Sequence, residues 1–189
     1  RDPIGSRGSE MCIRDSVIAA PASGSGKTLL SLCLIAWARQ LGHSIQPFKV
    51  GPDYLDPQLL SLAANHPCRN LDLPLCGEDW VQLSFNGYGG RCEMALVEGV
   101  MGLFDGIGSS SDGSTADVAV NLDLPVVLVV DAGGQARSLG ALVRGFRDLD
   151  PRLNLAGVVL NRVSSPRHRE LLEEAVSYTH LRAHETLLD

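Results

Sequence analysis

Pro21-Ala22-Ser23-Gly24-Ser25-Gly26-Lys27-Thr28 stands between an apolar run, Val17 to Ala20, and a long helical pattern that opens at Lys27. Glycine lets successive backbone N–H groups curl around an anion, and the helix that follows adds four unpaired N–H donors and the positive end of its dipole. The stretch therefore reads as a phosphate-binding loop. Gly24, Ser25 and Gly26 form its cradle, Lys27 reaches for the terminal phosphates, and the Thr28 hydroxyl binds Mg2+. The pattern GxxxxGK[ST] is met except at its first glycine, which is Pro21 here. Gly24 and Gly26 remain where the backbone has to approach phosphate. An ordinary Gly/Ser turn is the plain alternative, and it leaves the strand before and the helix after without a purpose.

Outward from this loop, short apolar runs alternate with helical patterns, the mark of a parallel sheet with crossover helices. Strands are expected at Val17 to Ala20, Ile45 to Val50, Asn70 to Leu73, Met94 to Glu98, Val126 to Asp131 and Ala156 to Asn161. The continuous apolar composition of Val126 to Val130 and Gly157 to Leu160 calls for cover on both faces. Helices are expected at Lys27 to Leu41 (closed by Gly42), Pro57 to Ala64, Glu78 to Phe85, Thr115 to Leu122, Ser138 to Leu149 and Arg167 to Val176. Leu30, Cys33, Leu34, Trp37 and Leu41 fall on one stripe of the first helix and should face the sheet. The fold class is α/β, a mostly parallel sheet with helices on both faces. In such sheets the ligand sits beyond the C-terminal strand ends, so the segments after Ala20, Val50, Glu98, Asp131 and Asn161 should meet at one rim. Gly99 to Gly113 has no periodicity, and a loop of that length in a compact domain is either functional or disordered.

With 189 residues, 44% of them hydrophobic, the chain can bury one full core. Arg1 to Ser16 and Ser177 to Asp189 break the periodicity of the rest and resemble translated adaptor sequence. One native domain is expected over 17–176, between non-native segments at 1–16 and 177–189. Formal net charge is −6, and the 17–176 segment holds 17 acidic residues against 12 basic ones. No basic stripe argues for nucleic acid or an anionic membrane, which favours small, ligand-sized partners. Lys27 and Lys49 are the only lysines in that segment, and both fall inside glycine-containing motifs. Cys33, Cys68, Cys76 and Cys92 show no CxxC pairing, and His43, His66 and His168 complete no zinc spacing. No apolar run reaches the ~18 residues that span a bilayer, so the expected location is the reducing cytoplasm.

Lys49-Val-Gly-Pro-Asp-Tyr-Leu-Asp-Pro57, after the second strand, combines a cation, a glycine, two stiffening prolines and two carboxylates three residues apart. Carboxylates beside a phosphate site repel it unless a cation intervenes, so Asp53 and Asp56 read as ligands of Mg2+ or of a cationic partner. Asp56 can equally be a helix N-cap ahead of Pro57. Glu98 closes the fourth strand beside the phosphate loop, where a second magnesium contact is expected, and Gly99 and Gly102 let the backbone pass close to ligand. Asp105 either contributes or satisfies a turn. Ser114-Thr-Ala-Asp117 is a capping box, and its exposed hydroxyls at the rim would also seat a substrate carboxylate. Asn161 ends the last strand with both a donor and an acceptor, which matches an adenine edge, although a bland surface turn has the same spacing.

APASGSGKT, KVGPDYLDP, EGVMGLFDG, STADVA and the strand end VLNR together resemble the N-terminal synthetase domain of the cobyrinic and hydrogenobyrinic acid a,c-diamide synthase family, over essentially all of 17–176. The resemblance implies the dethiobiotin-synthetase-like branch of P-loop NTPases. It implies ATP- and Mg2+-dependent amidation of the a and c carboxylates of a corrin-ring precursor through an acyl phosphate, with ammonia from glutamine. It further implies catalytic roles for Lys27, Lys49, Asp53 and Glu98, with Lys49 on the transferred phosphoryl group. Magnesium would be held by Thr28, Asp53 and Glu98. Tyr54, Leu55 and Asp56 would line the substrate side, and Ser114 and Thr115 would hold a neighbouring carboxylate. A homodimer is one assembly compatible with such a domain. The family's C-terminal glutaminase domain, with its nucleophilic cysteine, has no counterpart in the residues here, so free ammonia is the expected nitrogen source for this chain. Rival readings are a diamide synthase for another tetrapyrrole such as a nickel sirohydrochlorin, a dethiobiotin synthetase, and a partitioning-type ATPase switch. The last of these uses an extra lysine five residues before the loop lysine, a place held here by Ala22.

Overall fold

The computed structural model describes residues 15–179 and 183–185. Its strands are β1 (Asp15–Ala19), β2 (Ile45–Val50), β3 (Arg69–Leu71), β4 (Met94–Glu98), β5 (Val126–Asp131), β6 (Leu155–Asn161) and β7 (Ala183–Glu185). They form one sheet in the order β3-β2-β4-β1-β5-β6-β7, and every pairing among them is parallel. Parallel strands require crossovers. These are supplied by α1 (Lys27–Gln40), α2 (Asp56–Ala64), the single-turn α3 (Leu73–Cys76), α4 (Glu78–Gly89), α5 (Thr115–Asn121), α6 (Ser138–Asp148) and α7 (Pro166–Ser177).

Side chains alternate across a strand, so each inner strand feeds two cores. Ile18, Leu96, Val129 and Val159 pack with Leu30, Ile35 and Ala38 of α1 and Leu60 and Ala64 of α2. Their neighbours Val17, Val97, Val130 and Val158 pack against Val81 and Phe85 of α4, Val118 of α5, Val143 of α6 and Leu172 of α7. Burying a side chain such as Ile35 or Leu60, neither of which shows any surface, stabilises the fold by ~1.5–3 kcal/mol. Among the described residues no helix is long and apolar enough to cross a membrane.

Four expectations are corrected by the structure. The buried face of α1 is Lys27, Leu30, Ser31, Ile35 and Ala38, and of the expected stripe only Leu30 is fully buried. Trp37 and Leu41 are 60% and 58% exposed. The cause is the loop, which turns Lys27 inward and so rotates the whole helix. The strand expected at Asn70 to Leu73 ends at Leu71, because Asp72 accepts a hydrogen bond from Leu75 N and Pro74 fits the first turn of α3. Helix α4 runs on to Gly89 rather than stopping at Phe85. Finally, β1 runs from Asp15 to Ala19 rather than from Val17 to Ala20, and β7 pairs alongside Val158 to Leu160. Most of the 1–16 stretch, and the 177–189 stretch apart from 177–179 and 183–185, lies outside the described residues.

Candidate functional site

Register builds the floor of the site. Lys49 near the end of β2 and Glu98 at the end of β4 are register partners. They share strand parity with Ile45 and Leu96, so both side chains leave the sheet on the α1 side. Lys49 Nζ donates to Glu98 Oε1 at 2.8 Å, to Asp56 Oδ2 at 2.7 Å and to the Gly99 carbonyl at 3.2 Å, and lies 3.5 Å from Asp53 Oδ2. From above, the second residue of α1 closes the group, with Thr28 Oγ1 donating to Glu98 Oε1 at 2.8 Å. Thr28, Lys49 and Asp53 line one hollow of about 410 Å3 together with Gly24, Gly26 and Lys27.

The phosphate loop has the backbone its glycines foretell. Gly24 and Gly26 have φ of 81° and 107°, a region closed to most side chains. Beside it runs the segment after β4, pinned at several points. Gly99 N donates to Ile18 O at 2.9 Å and Leu103 N to Ala20 O at 2.8 Å. Thr115 Oγ1 accepts from Val100 N at 3.0 Å and donates to Val100 O at 3.2 Å. Asp105 Oδ2 accepts from Gly102 N at 2.8 Å. A Cβ on Gly99 would come within 2.6 Å of Thr115 Cγ2, so the tether and the glycine require each other. Held in this way, Met101 adopts φ 46° and its carbonyl accepts a 2.6 Å hydrogen bond from Lys27 Nζ.

Two buried ammonium groups under one hollow set its electrostatics. Burial, reinforced by nearby Lys49, holds the Lys27 pKa below its ordinary value despite Glu98, Asp56 and Asp105. Burial acts on Lys49 in the same direction, but its contacts with Glu98 and Asp56 outweigh it and leave that pKa raised. At Asp53 burial is outweighed by the Leu55 N–H, 2.9 Å from Oδ1, and by Lys49, so the carboxyl sits below its usual range. A polyanion entering the hollow would relieve the unfavourable charge on Lys27.

Glu98 is fully buried, and while Oε1 serves Thr28 and Lys49, Oε2 has no hydrogen-bond partner among the described residues. A buried carboxylate oxygen left in that state is costly, and a hard cation would satisfy it. No three His, Cys, Asp or Glu side chains gather as a self-sufficient cage among the described residues. Mg2+ takes one or two carboxylates and completes its shell with phosphate oxygens and water.

The remaining expected residues divide. Asp56 opens α2, but its carboxylate pairs with Lys49, and α2 has no side-chain cap among the described residues. Tyr54 and Leu55 stand at the rim, 80% and 76% exposed. Ser114 and Thr115 are fully buried and do not line the hollow. Ser114 caps α5 by accepting from Asp117 N, while Asp117 Oδ2 takes the Gly113 N–H. Asn161 lies beneath the phosphate loop, its Nδ2 donating to Ser25 O at 2.9 Å and its Oδ1 accepting from Arg162 N at 2.9 Å. The Met101 carbonyl was missed in the sequence, because a backbone acceptor leaves no residue-type signal. Gly99 and Gly102 marked the close approach without showing which group it served.

The family described as CobQ/CobB/MinD/ParA nucleotide binding domain matches residues 16–185. A cobyrinate a,c-diamide synthase of Syntrophotalea carbinolica is 53% identical over 161 residues, and a hydrogenobyrinate a,c-diamide synthase of Mycobacterium bovis is 51% identical over 164. The matches cover 85% and 84% of this chain but 35% and 36% of those proteins, so the chain spans about a third of their length. Among solved structures, the signal recognition particle 54 kDa protein of Aeropyrum pernix, in complex with GDP, superposes with a TM-score of 0.61 at 15% identity. It covers 91% of this chain and 42% of its own. The hydrogenase maturation factor HypB of Archaeoglobus fulgidus gives a TM-score of 0.57 at 16% identity, with 91% and 80% covered. At such identities the likeness concerns the fold alone, an α/β architecture. The chain therefore belongs to the CobQ/CobB/MinD/ParA nucleotide binding domain family.

Proposed function

We propose that this chain is the ATP-binding synthetase portion of a cytoplasmic enzyme that amidates the a and c carboxylates of cobyrinic or hydrogenobyrinic acid in cobalamin biosynthesis. One observation carries the reading. Thr28, Lys49 and Glu98 are joined by hydrogen bonds at a phosphate-loop hollow, in a chain about half identical to relatives named for that reaction. A carboxylate is a poor electrophile, so its oxygen first takes the γ-phosphoryl group of ATP, releasing ADP. Ammonia delivered from glutamine then attacks the acyl carbon and expels phosphate. Such a transfer needs alignment and charge neutralisation rather than a covalent enzyme intermediate.

Each residue has a part in this. Lys27 exchanges the Met101 carbonyl for the terminal phosphates. Lys49, fixed between Glu98 and Asp56, keeps a positive charge at the floor of the hollow, where the transferred group passes. Thr28, Glu98 and Asp53 would hold Mg2+, which when bound would neutralise phosphate charge. Tyr54, Leu55 and Asp56 face the acid from the rim. The switch-type reading is disfavoured by Ala22 at the place of its extra lysine.

The test is ADP release by the chain with ATP, Mg2+, ammonium and each of cobyrinic acid, hydrogenobyrinic acid and nickel sirohydrochlorin. Release stimulated by either corrin-type acid is expected. Lys27→Ala should abolish nucleotide binding, whereas Glu98→Gln should keep it and lose turnover. If no tetrapyrrole stimulates release, or both variants lose affinity equally, the reading fails.

A further inference from the structure

We infer that Leu29 and Met101 are specificity-determining residues for the acid: with Tyr54 and Leu55 they make an apolar collar at the mouth of the hollow that receives the carbon framework of a broad, flat acceptor. This deepens the amidation reading above and rests on it. Leu29 and Met101 both line the hollow, yet 51% and 46% of their surface is exposed. Tyr54 and Leu55, more exposed still, stand in sequence between Asp53 and Asp56, which line it too. A single exposed apolar side chain needs no explanation, but four around one charged hollow form the kind of patch that marks a contact surface.

Topology and charge together identify what covers it. The phosphate loop follows β1, which lies between β4 and β5. Leu29 is in the first turn of α1, Tyr54 and Leu55 follow β2, and Met101 follows β4, so the collar stands on the flank where Lys49 and Glu98 form the floor. On the other flank β5 and β6 contribute none of the described lining residues. A phosphoryl group that passes over Lys49 therefore meets its acceptor beside these four side chains. Among the described residues that line the hollow, the only cations are Lys27 and Lys49, both buried. Lys49 is held by Glu98 and Asp56, and Lys27 is given to the terminal phosphates. Asp53 and Asp56 add negative charge, so the mouth offers no ion pair to the other carboxylates of a polyacid, and apolar contact with its ring is what holds it. Met101 is suited to this, because its carbonyl is pinned to Lys27 while its unbranched thioether adapts to a curved conjugated face.

The experiment measures ADP release by the full chain with Mg2+ and ammonium, varying cobyrinic acid at saturating ATP and then ATP at saturating acid. Leu29→Ser should raise the KM for the acid about fivefold, the equivalent of ~1 kcal/mol for half of a leucine's burial, and leave kcat and the KM for ATP as they were. Leu29→Met, which keeps an apolar chain, should restore the KM. Met101→Gln, similar in size but polar, should raise the KM for the acid in the same way, and it keeps the inference testable where the serine variant does not fold. Glutaric acid, which has carboxylates but no ring face, should stimulate no release. The inference is overturned if either polar variant, once folded, leaves the KM for the acid unchanged, or if glutaric acid serves as well as cobyrinic acid. It is overturned equally if Leu29→Ser raises the KM for ATP as much as that for the acid, since the adenine face would then be the occupant. A variant that loses self-association in sedimentation while its KM stays the same would give the collar to a second copy of the chain and overturn it too. If no tetrapyrrole acid stimulates the unaltered chain, the amidation reading itself fails and the inference falls with it.

Discussion

Replacing Lys49 by methionine isolates the electrostatics of the site floor, because methionine fills the space of the stem and removes only the charge and its hydrogen bonds. The wild-type ammonium touches three carboxylates of unequal burial. Asp53 and Asp56 keep 26% and 30% of their side-chain surface, while Glu98 keeps none. Exposed partners lose little when an ion pair breaks, on the order of 0–1 kcal/mol. A buried partner left without its counter-ion costs ~3–5 kcal/mol. Glu98 therefore dominates, and Lys49→Met should lower unfolding stability by ~3 kcal/mol and the melting temperature by ~6–12 °C in a domain of this size. Urea denaturation at neutral pH reads this as a fall in midpoint at constant slope. In the double variant Lys49→Met/Glu98→Gln, where Thr28 can still donate to the amide oxygen, more than half of the loss should return. The pH dependence has a definite sign. Lys49 is held above its ordinary value of 10.5, so its contribution is complete below 10.5 and lost only as pH rises through the folded value. Asp53 is held below its ordinary 3.8, so its contribution is present above 3.8 and lost as pH falls through the folded value. The deficit of Lys49→Met should thus be flat between about pH 6 and 9. A loss below ~0.5 kcal/mol, or strict additivity in the double variant, would refute the buried-pair argument.

Thiol chemistry and the loop tether supply two further checks. Burial, with Glu98 nearby, pushes the Cys68 thiol up to about 12, and burial raises that of Cys92, whereas Cys76 is exposed. Under native conditions iodoacetamide followed by mass spectrometry should label Cys76 first, with Cys68 and Cys92 reacting only on unfolding; early labelling of Cys68 would contradict its placement. Thr115→Val removes both hydrogen bonds to Val100 and should cost ~1–3 kcal/mol and weaken nucleotide binding, while Thr115→Ser, which keeps the hydroxyl, should bind normally in the same titration. Equal affinity in the two variants would show that the tether does not shape the hollow.

The parts of this molecule legible in sequence are those where one local rule operates. Apolar runs without alternation gave the inner strands Met94–Glu98 and Val126–Asp131 to the residue, because two covered faces leave few alternatives. The gathering of Thr28, Asp53 and Glu98 was legible for a topological reason, since parallel strands deliver their C-terminal ends to one rim. What failed was any inference in which two roles compete for one side chain. The helical pattern of α1 offered a plausible stripe through Trp37 and Leu41, but the demand that Lys27 and Thr28 enter the hollow fixes the helix phase, and Ile35 and Ala38 take the core instead. Ser114 and Thr115 carried hydroxyls suited to a carboxylate, yet both are buried, the first claimed by the Asp117 N–H in the opening turn of α5 and the second by the Val100 backbone. At Asn161 two roles need not compete, because its amide carries a second N–H and a second lone pair beyond those given to Ser25 and Arg162. An amide at a strand end can read a base or hold a loop, and spacing alone does not choose between these. The register of β5 and β6 and the positive φ of Gly26 put the Ser25 carbonyl within its reach. Thr115 thus holds the Val100 backbone beside the hollow and Asn161 the Ser25 carbonyl of the loop, whereas the backbone partner of Lys27, the Met101 carbonyl, is one that an entering phosphate could replace.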